Sequence, residues 1–134
     1  MVKIEATDKR ILYIIHLYGR PMPRDELHRV VYELKRMGVR IGVDFPEGIT
    51  HSVKLQRRVD SLVSRGYIRE IYVVGPSYLD LYVQCYELSD KGLKVIENLD
   101  IDKRDKTKIE EYMKSLGAGG PAGGPLRRTP PGRS

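Results

Sequence analysis

A chain of 134 residues, 40% of them hydrophobic, has room for one modest core and a tail, and its single cysteine, Cys85, rules out an intrachain disulfide or a cysteine-based metal site. No stretch approaches the roughly 18 apolar residues of a membrane span, and the opening MVKIEATDKR lacks the apolar run of a secretory signal, so a cytoplasmic protein with no membrane partner is expected. The net charge of +6, from 24 basic and 18 acidic side chains, favours a polyanionic partner.

From Asp8 to Tyr18, residues Ile11, Ile14, Ile15 and Tyr18 recur at helical spacing, and Gly19 stops the helix. Pro21 and Pro23 bracket a turn. Beyond it Leu27, Val30, Val31, Leu34 and Met37 form the apolar stripe of a second helix that ends at Gly38. Residues 39–51, VRIGVDFPEGITH, read as a loop with one brief strand at most. A third helix starts near Thr50 or Ser52, either of which can cap it, and carries Leu55, Val59, Leu62 and Val63 inward before Gly66.

The period then changes from helical to alternating. YIREIYVV (67–74) and LYVQCYEL (81–88) are β-branched and aromatic, and the turn residues GPSYLD between them predict a hairpin. Tyr72, Tyr82 and Tyr86 could form a base-stacking platform for single strands, but alternation sets them beside the core, where burial of the ring suffices, and Cys85 is expected as a buried small hydrophobe. Ser89 caps a further helix with Leu93, Ile96 and Leu99. Thr107 and Glu110 have capping-box spacing, which favours a fresh helix after the polar stretch 100–105. That helix carries Ile109, Tyr112, Met113 and Leu116 on one face, a stripe with no evident partner in so small a domain. Residues 117–134, with six glycines, four prolines and the arginines Arg127, Arg128 and Arg133, are expected to be disordered. The domain organisation is therefore 1–99 as the folded domain, 100–116 as a C-terminal helix and 117–134 as a tail.

Three helices followed by a hairpin predict an α+β, mostly α fold of the winged helix-turn-helix kind, in which the third helix enters the major groove. The segment with Leu62, Gly66, Tyr67, Ile68 and Arg69, followed by Tyr86, Leu88, Ser89 and Gly92, resembles prokaryotic winged-helix regulators of the MarR and PadR types. The resemblance covers residues 8–99 and implies a DNA-binding regulator that dimerises through terminal helices. One departure is the long connection between helices two and three, where a helix-turn-helix has about three or four residues.

The third helix carries the functional expectation. Opposite its apolar face lie Lys54, Arg57, Ser61 and Ser64, with Arg58 and Arg65 on one flank and Asp60 on the other. Long cations reach phosphates and guanine edges, and small hydroxyls allow close approach. Thr50, His51 and Ser52 at the helix N-terminus, together with Arg69 at the base of the hairpin, complete the expected nucleic-acid contacts. The hairpin loop carries Tyr78 and Asp80 where a gripping wing often has arginine or lysine. His16, His28 and His51 are separated and converge with no carboxylate pattern, and no phosphate-loop motif occurs. No metal, no cofactor and no catalysis are therefore expected.

The leading expectation is a transcriptional regulator on double-stranded DNA, a homodimer joined through Ile109, Tyr112, Met113 and Leu116. The alternative is an adaptor that docks on a ribosome, replication or transcription assembly through RNA or protein contacts, favoured by the long connection and the arginine-bearing tail.

Overall fold

The computed structural model of the protein describes residues 4–74 and 82–117; the expectations for the hairpin loop GPSYLD and for the tail from residue 118 onward lie outside the described residues. In chain order the elements are α1 (Ala6–Tyr18), β1 (Met22–Pro23), α2 (Arg24–Arg36), α3 (Val53–Ser64), β2 (Ile68–Val74), β3 (Tyr82–Leu88), α4 (Asp90–Glu97) and α5 (Lys103–Gly117). The architecture is α+β and mostly helical, with one antiparallel sheet in the order β1-β3-β2. No helix among the described residues is long and apolar enough to cross a membrane.

β1 has no counterpart in the sequence reading. Its two residues pair with the far strand, Met22 opposite Tyr86 and Pro23 opposite Cys85, so long-range pairing and not local pattern makes it a strand. Between β2 and β3 the register runs from Ile68 opposite Leu88 to Val74 opposite Tyr82. One sheet face therefore carries Ile68, Glu70, Tyr72 and Val74 beside Tyr82, Gln84, Tyr86 and Leu88. At its base Ile68, Tyr86 and Leu88 join the core with Ile11, Ile14, Leu27, Leu34, Leu55 and Leu62. Farther out that face leaves the core behind. Tyr72 and Tyr82 are 61% and 68% exposed, which corrects their expected place beside it.

Ser52, not Thr50, caps α3: its hydroxyl accepts from the Leu55 amide at 3.1 Å. The connection before α3 has no paired strand, yet its alternation is used, because Val39, Ile41 and Val43 are all buried. Gly38, at φ 96°, makes the left-handed turn that returns the Val39 amide to the Leu34 carbonyl at 3.0 Å. The Gly42 amide then donates to the Thr7 hydroxyl, and Phe45 meets Tyr32 edge-on.

The C-terminal stripe is the main correction. α5 begins at Lys103, with the Asp102 carboxylate accepting from the Arg104 amide at 2.7 Å, four residues ahead of the expected start at Thr107. It folds back on α1 and α2. Ile109 and Met113 are buried in the chain's own core, and Tyr112 and Leu116 pack against it. The face expected to wait for a second subunit is already covered. A buried ion pair fixes the docking: the Arg10 guanidinium donates to Asp105 at 2.7 and 3.1 Å, and Arg40 reaches the same carboxylate from the connection. Tyr13 adds a hydrogen bond to Glu110, which together with burial raises its hydroxyl pKa.

Candidate nucleic-acid interface

α3 presents its outer face because its inner face is used up. Leu55, Val59 and Leu62 are wholly buried, which turns Lys54, Arg57 and Ser64 to solvent and leaves Ser61 half-buried. Arg57 is exposed and makes no ion pair among the described residues. Lys54 meets Asp44 at 3.1 Å, both side chains being largely exposed, and that contact lowers the Asp44 pKa. Such an exposed pair is screened by solvent and yields readily to a polyanion.

The other cations of the helix are held inward. Asp8, 1% exposed in the first turn of α1, accepts from the Glu5 amide and lies between Arg58 of α3 and Arg65 just past its end. Arg58 reaches Asp8 at 3.2 Å and Glu5 at 2.8 Å, and Arg65 stands 3.6 Å from Asp8 while donating to the Ser61 hydroxyl. The hydrogen bond to Glu5, then that to Asp8, raises the Arg58 pKa. These two arginines bind α3 to α1, and their charge is partly cancelled. A cleft results, lined by Lys54, Arg57, Arg58, Ser61 and Arg65 with Glu5 and Asp8. Four cations against two carboxylates leave it positive, with Lys54 and Arg57 at its open side.

The remaining expected residues are dispersed. Thr50 is exposed at the end of the connection. Ser52 is wholly buried, so its hydroxyl serves the helix cap and not a ligand. Arg69 lies on the sheet face opposite Ile68 and Tyr86, 3.2 Å from Glu87.

His51 stacks on His28 with ring centroids 4.1 Å apart. His28 is buried, and its tautomer follows from its partners. The Ser52 amide donates to Nδ1 at 3.1 Å, so Nε2 carries the proton and donates to the Gln56 Oε1 at 2.9 Å. The Gln56 amide in turn donates to Asp60 and to the Tyr86 hydroxyl. Burial lowers the His28 pKa, and the neighbouring His51 and Arg24 push in the same direction against Gln56.

No family model, curated protein or solved structure matches the chain.

Two features escaped the sequence reading. The acidic partners of Arg58 and Arg65 lie 50 or more positions away, at the start of α1, where helical periodicity along α3 carries no information. The end of α3 is the second. The Arg65, Gly66 and Tyr67 amides turn back onto its last carbonyls, at Ser61, Val63 and Leu62, and the carbonyls just past its end are met by the start of α4: the Ser89 hydroxyl donates to Gly66 at 2.5 Å, the Ser89 amide to Tyr67 and the Lys91 ammonium to Arg65. The Gly66–Tyr67 and Ser89–Gly92 motifs are the two halves of this clamp, which fixes where α3 ends and the hairpin begins.

Proposed function

We propose that the protein is a winged-helix DNA-binding protein that lays α3 in the major groove, a transcriptional regulator with no catalytic chemistry of its own. The observation that carries the reading is the outward row Lys54, Arg57, Ser61 and Ser64 on a helix rigidly backed by the core. Supporting it is the element order: a helix, a short strand, two helices and a hairpin, with the short strand on the far side of β3 from β2. This arrangement suits a recognition helix flanked by a wing.

One observation favours the adaptor reading. With Ile109 and Met113 buried internally, the stripe expected to join two copies is unavailable, and a monomer has no two-fold match to a palindromic operator. The two readings separate when nucleic acid bound in cells is recovered and sequenced as both DNA and RNA. Enrichment of DNA segments sharing a motif supports the regulator. RNA, or DNA without a shared motif, supports the adaptor.

A further inference from the structure

The geometry points to a second nucleic-acid contact, an aromatic platform on the outer hairpin formed by Tyr72 and Tyr82 that stacks an unpaired base next to duplex held by α3. The inference rests on the nucleic-acid reading of α3 and adds a separate site with its own ligand form.

Tyr72 pairs with Gln84 and Tyr82 with Val74, so the two tyrosines are diagonal neighbours on one sheet face. Diagonal positions lie about 7–8 Å apart, within reach of aromatic side chains. Both rings are mostly exposed, as is Val74 between them, on the continuation of the face that packs the core.

Beside them, among the described residues, the outer edge of β3 is paired only at Cys85 and Tyr86, by β1. A cleft of about 400 Å³ occupies that edge, lined by Pro23, Arg24, Asp25, Tyr82, Val83 and Gln84, a size in the range of small-molecule sites. Arg24 is incompletely used there. Its Nε is withdrawn from solvent without a hydrogen-bond partner among the described residues, and its Nη1 reaches Gln84 only at 3.5 Å.

The charges around the platform select a base over a phosphate. Glu70 holds the Gln84 amide at 2.6 Å and the Tyr72 hydroxyl at 3.3 Å, and Asp25 and Asp60 are exposed nearby on α2 and α3. These carboxylates repel phosphate but can accept from the ring N–H or amino groups of a base, while the ring faces offer a stacking surface that every base can use. The phosphates of the same strand fall to Arg24 on one side and to the α3 row on the other. Gln56 of α3 and Gln84 both donate to the Tyr86 hydroxyl, and Gln84 and Tyr72 share Glu70, so hydrogen bonds lead from α3 to the platform.

The test is fluorescence anisotropy with three labelled DNAs: a blunt duplex, the same duplex with a six-thymine single-stranded overhang, and a thymine 12-mer. The wild type should bind the overhang probe at least roughly fivefold more tightly than the blunt duplex, the lower end of one base–aromatic stack. Tyr72→Ala with Tyr82→Ala should abolish that gain and leave blunt-duplex affinity unchanged. Tyr72→Phe with Tyr82→Phe, which keeps the rings, should retain it. A wild type with no preference for the overhang, or a preference that survives the alanine changes, overturns the platform alone. Binding of the 12-mer and the overhang without the blunt duplex upholds the platform and defeats the α3 reading. Failure to bind all three overturns both.

Discussion

Gly92 sits where no side chain fits: a Cβ there would lie 2.3 Å from the Tyr67 carbonyl oxygen. Gly92→Ala must push α4 off the end of α3, and a stability loss of about 1–3 kcal/mol or more is expected in urea denaturation. His28 gives a second prediction. Its pKa in the fold lies below the ordinary 6.5, so the unfolded chain takes up the proton first. Stability is therefore complete above about pH 6.5 and declines as the pH falls below it. His28→Asn, which keeps an acceptor for the Ser52 amide, should flatten the change in urea midpoint between pH 7.5 and 5.5. Arg57 and Arg58 are neighbours in sequence and look equivalent there, yet among the described residues the first makes no ion pair and the second bridges to Glu5 and Asp8. The apolar phase of α3 was legible from Leu55, Val59 and Leu62, and so was the set of outward residues. Which of the cations are already taken was not, because that depends on a carboxylate supplied by α1.

At the level of elements, local chemistry announced most of the helices. The stripe from Leu27 to Leu34, the Ser52 and Ser89 caps and the left-handed glycines at 19, 38 and 66 are signals within a turn or two of what they specify. β1 and the docking of α5 are long-range events, set by Tyr86 and by the Arg10–Asp105 pair, and no local period encodes them. An arginine directly before an apolar run, as Arg10 is before Ile11 and Leu12, was a hint of a buried partner. The pair makes its own prediction. Asp105→Ala leaves the Arg10 charge buried without its main partner and should cost about 3–5 kcal/mol, whereas Arg10→Met with Asp105→Leu should recover much of the loss. Equal destabilisation by the single and the double change would show that the ion pair does not hold α5.

On the scale of the whole molecule, α5 completes a single core and leaves the α3 face and the outer hairpin as outward-facing surfaces of differing chemistry. Ile109→Asp with Met113→Asp should then unfold the protein, since it puts two charges into that core; a folded monomer derived from a wild-type dimer would mean that α5 serves a second subunit after all. The central claim is that Lys54 and Arg57 are the cations that meet a polyanion, while Arg58 and Arg65 serve the fold. It is tested most directly by the salt dependence of duplex binding. Affinity for a random-sequence DNA duplex, measured over a series of salt concentrations, should fall steeply with salt for the wild type. Lys54→Ala with Arg57→Ala should lower the logarithmic slope by roughly 1.8, about 0.9 for each lost phosphate contact, with thermal stability almost unchanged. An unchanged slope in that double variant would contradict the account and remove α3 from the nucleic-acid interface.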